Sequence, residues 1–231
     1  MKLSFIIPCY NEVKTIQRAI EEVRGLQIEK EIIIIDNCST DGTREVLKDM
    51  ESSDLRIVYQ DRNYGFGRSI QVGSSLANAE FIYIQFSDLE YELNKCYEML
   101  RIAIRDNLDA VFGSRLRSIR KKESFYSIIK EKPAFIATFI TTFLINKWYG
   151  YNLTDIIGSK LYRTTSLKKV IPKTNGQGFD FELVSIMCKR KFRIKEIEVG
   201  YTPRENPGDK KIKPYHMINA LWAMLKVRFL Y

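Results

Sequence analysis

The sequence predicts an α/β protein in which helices flank an open, mostly parallel β-sheet. Short apolar runs alternate with helix-like segments through the first 112 residues, and the connections between them are short. Residues 31–35, EIIII, are almost entirely β-branched and apolar, which is typical of a strand covered on both faces of a parallel sheet. In such a sheet, ligands are expected beyond the carboxyl ends of the strands.

The elements of the first half follow from apolar spacing and turn residues. Asn11 is expected to cap a first helix, and a second helix is expected after the turn NCSTDG. Further helices are predicted near residues 67–77 and 93–107. The strands are predicted at residues 3–8, 31–35, 56–59, 81–86 and 110–112.

The second half is less regular. Residues 114–132 are predicted to form a basic, poorly periodic connector. After it we expect helices at 133–147, 180–191 and 214–231, and strands at 160–163 and 193–199.

Length and composition exclude several classes of protein. A chain of 231 residues fits one domain, and 45% hydrophobic with 28% charged residues argues against disorder. The longest uncharged apolar stretch, residues 134–145, is too short for a membrane span, and we expect no signal peptide. Four cysteines without a C-x-x-C spacing and a single histidine make a zinc site or a disulfide framework unexpected, so a reducing cytoplasm is predicted.

Charge is divided unevenly along the chain. Residues 1–112 carry 13 basic and 19 acidic residues, a net charge of −6, whereas residues 113–231 carry 24 and 9, a net charge of +15. The second half is therefore expected to face something anionic: lipid head groups, a phosphorylated acceptor or nucleic acid. A merely solvated basic surface is the alternative.

Acidic residues stand where strands are predicted to end. Asp36 ends the EIIII strand, Asp41 closes the following turn, and Asp88 and Glu90 follow the strand FIYIQF. Carboxylates at such positions can bind ribose and base edges or hold a divalent cation on a diphosphate. The alternative is that Asp36 and Asp41 only build the turn and cap the next helix.

Seven short motifs follow one another along the chain: PCYNE, IIDNCSTDGT, RNYGFGRSIQVG, QFSDLEYE, FGSR, the segment around Glu182, and YTPRENPGDKK. As an ordered set they resemble the inverting family-2 glycosyltransferases of GT-A fold, especially the branch that contains dolichyl-phosphate mannosyltransferase and related polyprenyl-phosphate glycosyltransferases. The resemblance covers nearly the whole chain. It implies a nucleotide-sugar-binding half, residues 1–112, and an acceptor-binding half, residues 113–231.

The resemblance implies a donor site for a nucleotide sugar in the first half. By this resemblance Asp36 matches the acidic residue that hydrogen-bonds the base, and Asp88 matches the second aspartate of the D-x-D metal motif for Mg²⁺ or Mn²⁺. The other residues implied to line the nucleotide pocket are Pro8, Tyr10, Glu12, Asn63, Gly65, Arg68 and Ser87.

One departure from the family pattern concerns the metal. Phe86 stands where the family has the first aspartate of D-x-D. If residues 86–90 are extended, the side chains of Asp88 and Glu90 project to the same side, so that both can meet one cation. Asp155, in a segment one residue shorter than the family's, is expected to be a structural cap rather than a functional residue.

The acceptor side depends on arginines and on one carboxylate. The resemblance places Arg115 and Arg204 near an acceptor phosphate, where a guanidinium suits an anion that is already ionised. Arg117 and Lys211 suit the same task or are solvated surface charges. A hydroxyl acceptor would instead need a general base, for which Glu182 or Asp180 is the candidate.

Partners and location complete the expectations. The last helix, with aromatic and basic residues, fits a membrane interface, although packing on the domain is the commoner role for such a helix. We therefore expect a polyprenyl phosphate acceptor and peripheral association with the cytoplasmic face of a membrane, and no nucleic acid. The alternatives kept open are a glycan hydroxyl as acceptor, and a non-catalytic nucleotide-sugar-binding protein.

Overall fold

The fold is known from a computed structural model that describes residues 2–120, 135–176, 178–203 and 216–230. At its centre lies a seven-stranded sheet with the strand order β3-β2-β1-β4-β6-β5-β7. The strands are β1 (Leu3–Cys9), β2 (Lys30–Asp36), β3 (Leu55–Tyr59), β4 (Phe81–Ile84), β5 (Ala110–Ser114), β6 (Lys160–Arg163) and β7 (Ile194–Glu198).

The sheet is mostly parallel, as predicted. β1 pairs in parallel with β2 and β4, β2 with β3, and β5 with β7. Among the seven described strands, β6 alone is antiparallel, to both β4 and β5. The described helices are α1 (Ile16–Gly25), α2 (Thr43–Asp49), α3 (Phe66–Leu76), α4 (Lys95–Arg105), α5 (Arg115–Arg120), α6 (Phe135–Tyr149), α7 (Thr164–Lys168), α8 (Phe179–Lys189) and α9 (His216–Leu230).

Two apolar cores lie on opposite faces of the sheet. Alternate residues of β2 enter different cores: Ile33 and Ile35 belong to the core that includes α3, α6, α8 and α9, whereas Ile32 and Ile34 belong to the core that includes α1 and α4. Because successive side chains of a strand point to opposite faces, a strand covered on both faces must be apolar throughout. This explains the run EIIII.

The structure differs from the sequence-based expectations at three places. The first helix begins at Ile16 instead of directly after Asn11, which has φ +54° and accepts a hydrogen bond from the Thr40 N–H at 2.8 Å. Asn11 therefore ties two loops together and does not cap a helix. The basic connector contains α5, and the short helix α7 after β6 was not predicted.

A fourth correction concerns the end of β4. The predicted strand runs to Phe86, but β4 ends at Ile84, and residues 87 and 88 form a turn. Leu89 follows with φ +60°, in the left-handed region. The backbone from 86 to 90 is therefore not extended, so the argument that Asp88 and Glu90 project to the same side is wrong.

Candidate functional site

The carboxyl edge of the sheet carries the predicted donor residues. β1 lies between β2 and β4, so that the loops after these three strands meet at one edge. Pro8 is buried inside β1, and the Ser87 hydroxyl donates a hydrogen bond to the Pro8 carbonyl at 3.2 Å. Tyr10 and Glu12 are half-buried in the loop after β1. The structure thus brings the loops after β1 and β4 into contact.

Asp36 is wholly buried at the end of β2. Its Oδ2 accepts a hydrogen bond from Arg44 Nε at 2.5 Å, and the Ser39 N–H donates to Oδ1 at 3.2 Å. Arg44 also donates to the Gln60 carbonyl, which lies just after β3. Asp36 therefore joins the ends of β2 and β3 through Arg44, and its role toward a base remains a prediction.

Asp41 forms part of the turn before α2, which is the alternative to a ligand-binding role. Its Oδ1 accepts a hydrogen bond from the Thr43 N–H at 3.0 Å at the start of α2, and its Oδ2 accepts one from the Val13 N–H at 3.1 Å. Burial alone would raise the pKa of Asp41, but these hydrogen bonds outweigh it and lower the pKa. Asp41 builds the turn and links it to the loop after β1.

The loop after β3 is fastened to the loop after β2. The Asn37 side-chain amide donates to Asn63 Oδ1 at 2.8 Å, and Asn37 Oδ1 accepts from the Tyr64 N–H at 2.9 Å. Asn63 Oδ1 also accepts from the Gly65 N–H at 2.9 Å. The resemblance named Asn63, but the pairing with Asn37 required the structure, because the two residues are 26 positions apart.

Two glycines let the backbone of residues 174–175 pack closely on the loop after β3. Gly65 has φ +91°, and a Cβ built on it would lie 2.6 Å from the Asn175 carbonyl oxygen. A Cβ on Gly67 would lie 2.4 Å from the Thr174 carbonyl oxygen. Arg68, the third residue predicted in this loop, is exposed, and its backbone N–H donates to the Asn175 carbonyl at 3.3 Å. The approach of the two backbones requires glycine at both positions.

Asp88 and Glu90 occupy the turn after β4. The Glu90 N–H donates to Asp88 Oδ1 at 3.2 Å, and both side chains are half-buried. The Glu90 side chain hydrogen-bonds the Tyr201 side chain, and the Glu90 carbonyl accepts from the Thr202 N–H at 2.9 Å. Glu90 is thereby held beside residues 201–202, and its sharing of a cation stays a prediction.

Phe86 belongs to a row of aromatic rings. Its ring stacks on Phe66, with centroids 5.8 Å apart and planes 9° apart, and lies 5.5 Å from the Tyr91 ring. Tyr91 in turn lies 5.4 Å from Tyr201. The residue that departs from the family motif therefore has a packing role that a carboxylate would not fill.

The donor set fits one divalent cation bound together with a diphosphate. Mg²⁺ in proteins is commonly held by one or two carboxylates, several waters and the phosphates of a substrate. Asp88 supplies one such carboxylate at the carboxyl end of β4. Within the described residues no three His, Cys, Asp or Glu side chains gather as a protein-only metal site. A cation here would depend on the diphosphate for the rest of its ligands.

Arg115 is held in a buried two-point contact by Asp155. The Arg115 Nε and Nη2 donate to Asp155 Oδ2 and Oδ1 at 2.7 and 3.0 Å, and Asp155 is 0% exposed. Burial alone would raise the pKa of Asp155, but the charge and hydrogen bonds of Arg115 outweigh it and lower the pKa. Asp155 also accepts from the Ile157 N–H at 3.0 Å, which closes a turn; no helix starts there, so Asp155 caps none, and the ion pair is its main contact.

Aromatic rings cover the guanidinium of Arg115 as well. Its Cζ lies 4.9 Å from the centroid of Phe135 and 5.3 Å from that of Tyr201. Burial raises the pKa of Tyr201 to about 12, with Glu90 and Asp88 adding to the rise and Arg115 opposing it. Tyr201 therefore contacts the predicted acceptor arginine through its ring and Glu90, one of the two predicted metal carboxylates, through a side-chain hydrogen bond.

Glu196 supports this ion pair from β7. Its carboxylate accepts hydrogen bonds from the N–H groups of Thr154 and Asp155 at 2.9 Å, and it lies 3.0 Å from Arg117 Nε. Burial raises the pKa of Glu196, although the hydrogen bonds of Thr154 act in the opposite direction. Arg117, also considered for the acceptor, is thus engaged with Glu196. Arg204 and Lys211 lie outside the described residues.

Glu182 and Asp180, the two candidates for a general base, differ in their surroundings. Glu182 is 3% exposed and accepts a hydrogen bond from the Thr174 hydroxyl. Asp180 is more exposed, and its Oδ1 lies 3.4 Å from the Nζ of the buried Lys160. Asp180, Lys160 and Phe86 line one small pocket. Of the two carboxylates, Asp180 is the one that faces this pocket.

Sequence reasoning missed Asp155 and Lys160 as site residues. Asp155 was expected to be a cap because its segment is one residue shorter than the family's, and its pairing with Arg115 could not be read from spacing, since the two residues are 40 positions apart. Lys160 did carry a signal, since a lysine at the start of a four-residue strand that is buried on most positions needs a reason.

Helices α6 and α9 both carry large apolar side chains that are exposed to solvent. No acidic residue occurs in either helix, and Lys147, Lys226 and Arg228 are their basic residues. Among the described residues, no helix combines the length and apolarity needed to cross a bilayer. The exposed large apolar residues of these two helices are Ile140, Phe143, Ile218, Trp222, Leu225, Phe229 and Leu230.

Comparisons with known proteins agree with this geometry. The model of glycosyl transferase family 2 matches residues 4–171, well over half of the chain. Undecaprenyl-phosphate 4-deoxy-4-formamido-L-arabinose transferase of Proteus mirabilis is 25% identical over 233 residues, covering 97% of this chain and 67% of the relative. Dodecaprenyl-phosphate galacturonate synthase of Rhizobium johnstonii is 27% identical over 178 residues, 74% of this chain and 50% of the relative. The chain thus spans half to two thirds of these relatives' lengths.

A solved structure shows the same fold. Glucosyl-3-phosphoglycerate synthase of Mycobacterium tuberculosis, crystallised with Mg²⁺ and uridine diphosphate, superposes with a TM-score of 0.67 at 15% identity. The match covers 98% of this chain and 79% of the other. At this identity the likeness establishes the fold alone, and it confirms the expected GT-A architecture.

Proposed function

Because the chain belongs to glycosyl transferase family 2, we propose that it transfers a sugar, with inversion, from a nucleoside diphosphate sugar to a polyprenyl phosphate. One observation carries the proposal. The Tyr201 ring lies 5.3 Å from Arg115 Cζ, and its side chain hydrogen-bonds Glu90, whose N–H donates to Asp88 Oδ1 at 3.2 Å. The predicted acceptor arginine and the turn that carries the predicted donor carboxylates thus both contact Tyr201.

The proposed donor site lies along the carboxyl edge of β1, β2 and β4. Tyr10, Glu12 and the loop at 63–68 supply the residues for the nucleoside, and the hydrogen bond between Asn37 and Asn63 holds that loop at the carboxyl edge of the sheet. Relatives of this chain carry names of polyprenyl-phosphate sugar transferases, and the Mycobacterium structure holds uridine diphosphate with Mg²⁺. Whether the base is uracil or guanine is left to experiment.

Asp88 is the residue that would hold a divalent cation against the donor diphosphate. When bound, Mg²⁺ or Mn²⁺ neutralises charge that develops on the leaving diphosphate. The turn after β4 contributes by fixing the position of the Asp88 carboxylate, since the Glu90 N–H donates to Asp88 Oδ1 at 3.2 Å. A carboxylate fixed in this way need not reorganise when the donor binds.

The acceptor phosphate is assigned to Arg115. A phosphate monoester of a lipid is ionised near neutral pH, so it needs positioning more than deprotonation. Asp155 fixes the Arg115 guanidinium through Nε and Nη2, and the rings of Phe135 and Tyr201 cover its faces. Nη1 takes part in neither hydrogen bond to Asp155. The Nη1 edge of the guanidinium is therefore the one that we assign to a phosphate oxygen.

A glycan hydroxyl is the second candidate acceptor, favoured by the position of Asp180. A hydroxyl nucleophile must lose its proton, and Asp180 lines the pocket next to Phe86. Glu182, by contrast, is buried and accepts a hydrogen bond from Thr174. If the acceptor is a hydroxyl, Asp180 is therefore the base that we propose, in preference to Glu182.

The exposed apolar side chains of α6 and α9 are assigned to a membrane surface. Both helices lack acidic residues, and their lysines and arginines accompany the aromatic side chains. This combination is typical of helices that lie in the interface of an anionic bilayer. We propose peripheral association with the cytoplasmic face of a membrane, where a polyprenyl phosphate can reach Arg115.

The test is a transfer assay with radiolabelled UDP-sugars and GDP-sugars and a polyprenyl phosphate in detergent. We expect the label to move into the organic phase, with release of nucleoside diphosphate, and both to require Mg²⁺ or Mn²⁺. Label transferred only to a water-soluble glycan would favour the second candidate. Donor binding without any release of nucleoside diphosphate would identify a non-catalytic binding protein and contradict both.

A further inference from the structure

Tyr201 follows β7 and lies between two parts of the carboxyl edge of the sheet. On one side, the Val199 N–H donates to the Ser114 carbonyl at 3.2 Å, at the end of β5. On the other side, Tyr201 forms an isolated antiparallel bridge with Tyr91, in the segment after β4. The chain around Tyr201 therefore joins the end of β5, where Arg115 begins α5, to the segment that follows β4.

Backbone hydrogen bonds fix the position of Tyr201. The Thr202 N–H donates to the Glu90 carbonyl at 2.9 Å, and the Glu92 N–H donates to the Gly200 carbonyl at 3.4 Å. These bonds flank the bridge at Tyr201 and do not involve its side chain. A substitution of that side chain should therefore leave the bonds in place, so that its effects can be assigned to the lost side-chain atoms.

The hydroxyl and the ring of Tyr201 contact different neighbours. The hydroxyl donates to the Glu90 carboxylate, next to Asp88 in the turn after β4. The ring lies 5.3 Å from Arg115 Cζ, and Phe135 lies 4.9 Å from the same atom. The Phe135 and Tyr201 rings are 6.4 Å apart with planes at 88°, so they form a corner beside the guanidinium. This corner restricts the movement of Arg115.

Transfer of a sugar requires that donor and acceptor be placed relative to one another as well as bound. The reacting atoms must approach to about 3–3.5 Å with the right orientation, and a small misplacement lowers the rate steeply. Asp88 and Arg115, which we assign to the donor and to the acceptor, belong to different elements. Tyr201 contacts the turn that carries the first and the guanidinium of the second.

We propose that Tyr201 is a positioning residue that sets the donor turn and the acceptor arginine at a fixed distance from each other. It touches neither substrate: its hydroxyl acts through Glu90, and its ring acts through Arg115. This inference rests on the proposed function and adds to it a residue that serves both substrates.

Two substitutions separate the hydroxyl from the ring. Tyr201→Phe frees Glu90 but keeps the ring, so kcat for transfer should fall about threefold to tenfold, whereas acceptor affinity should be unchanged. Hydrolysis of the donor, which needs no placed acceptor, should fall less than transfer. Tyr201→Leu also removes the ring from Arg115, so acceptor affinity should fall by about fivefold in addition.

Transfer and hydrolysis are measured with a radiolabelled donor on one preparation. Acceptor affinity is measured by calorimetry with farnesyl phosphate, a short isoprenyl phosphate, in the absence of donor and metal. The matched controls are Tyr151→Phe and Tyr151→Leu. The Tyr151 hydroxyl donates to the Phe192 carbonyl at 2.7 Å, and Lys191 Nζ lies 5.8 Å from its ring, before the start of β7. Both controls should leave transfer and acceptor affinity unchanged.

A double-mutant cycle shows whether the ring acts through Arg115. If it does, Tyr201→Leu should weaken farnesyl phosphate binding much less in an Arg115→Lys background than in the native chain. A general loss of packing would weaken binding by the same factor in both backgrounds, and this result would overturn the role of the ring.

The outcomes separate this inference from the proposed function. If the native chain transfers no sugar to a polyprenyl phosphate, the proposed function fails and the inference fails with it. If the native chain does transfer sugar, but Tyr201→Phe and Tyr201→Leu behave like the two Tyr151 controls, Tyr201 positions neither substrate and the proposed function stands. An equal fall of transfer and hydrolysis in Tyr201→Phe would also overturn the inference, since it would place the hydroxyl with the donor alone.

Discussion

The Arg115 guanidinium and the Asp155 carboxylate form a parallel pair of hydrogen bonds, at 2.7 and 3.0 Å, inside the protein. Asp155 is wholly buried, and the pair is covered by Phe135 and Tyr201. Two of the Arg115 donors are committed to Asp155, so the remaining edge has one fixed direction. In the proposed function, this edge is the one that an acceptor phosphate would meet.

Arg115→Lys is expected to reduce transfer to polyprenyl phosphate without reducing hydrolysis of the donor. A lysine supplies a point charge and cannot reproduce the planar two-point contact with Asp155, so the phosphate loses its oriented donor. A charge-assisted hydrogen bond contributes about 1.5–3 kcal/mol, which is roughly a ten- to hundredfold loss of acceptor affinity. Transfer and hydrolysis are measured on the same preparation. An equal fall in both would place Arg115 with the donor or the fold.

Asp155→Asn is expected to lower the free energy of unfolding by about 3–5 kcal/mol at neutral pH, because it leaves a buried guanidinium unpaired. The pKa of Asp155 is lowered from 3.8 in the folded chain, so its stabilisation is complete above pH 3.8 and is lost as the pH falls below it. The difference between native and variant chains in urea unfolding should accordingly be constant from pH 7 to 5 and shrink below about pH 4.

Asp54→Asn is the control for this experiment. Asp54 also pairs with an arginine, Arg24 at 2.8 Å, which lowers its pKa to about 2, but its side chain is 53% exposed. An exposed pair is screened by solvent, so the loss should be about 1 kcal/mol or less. A loss at Asp155 no larger than that at Asp54 would show that the buried pair does not stabilise the fold.

Asp88→Ala is expected to abolish the metal-dependent part of donor binding and to leave the thermal midpoint nearly unchanged. Asp88 lies in a turn and is half-buried, so its loss opens no cavity in either core. Glu90→Gln should weaken the metal dependence less, because Glu90 is held by Tyr201. Calorimetry with nucleoside diphosphate and Mn²⁺ measures both. Unchanged Mn²⁺-supported affinity in Asp88→Ala would exclude Asp88 from the site.

Gly67→Ala is expected to lower the thermal midpoint and to weaken nucleotide binding. The added Cβ would lie 2.4 Å from the Thr174 carbonyl oxygen and 2.7 Å from Phe179 Cβ, so a backbone must move. Overpacking of this kind costs about 1–3 kcal/mol. Gly25→Ala is the matched control, since a Cβ there meets nothing within 4 Å. Equal midpoints for the two variants would contradict the tight packing of the loop.

Membrane binding is tested with a double variant in α9, Trp222→Gln with Phe229→Gln. The two side chains are 57% and 72% exposed, and burying each in a bilayer interface contributes about 1.5–3 kcal/mol, so binding to anionic vesicles should fall at least tenfold. Ile104→Gln, which alters an exposed apolar residue of α4, should leave cosedimentation unchanged. An equal loss in both, or in neither, would contradict a membrane face at α9.

Much of the architecture could be predicted because it depends on local patterns of apolar and turn residues. The run EIIII indicated a strand covered on both faces, and Ile33 and Ile34 do enter opposite cores. The motif order also placed Asn63, Gly65 and Asp88 at the carboxyl edge. Such features depend on residues close in sequence, for which spacing is informative.

Other features depend on contacts that spacing does not encode. The backbone was assumed to be extended over residues 86–90, but Leu89 has a positive φ. Leucine rarely adopts this conformation, so the sequence carried no signal for it. The pairing of Arg115 with Asp155 and of Lys160 with Asp180 joins separate elements. A charged residue in or beside a buried strand, such as Lys160, requires a partner of opposite charge. The sequence does not identify that partner.

The antiparallel strand β6 has a consequence for the synthesis of the chain. It is the strand that joins the β3-β2-β1-β4 part of the sheet to β5 and β7. β4 ends at residue 84 and β6 begins at residue 160, so at about 5–20 residues per second the ribosome takes several seconds to supply it. During that interval the apolar edge of β4, FIYI, lacks its native neighbour, and unpaired edges recruit other strands. The nascent chain is therefore expected to depend on chaperones until residue 163 has left the exit tunnel.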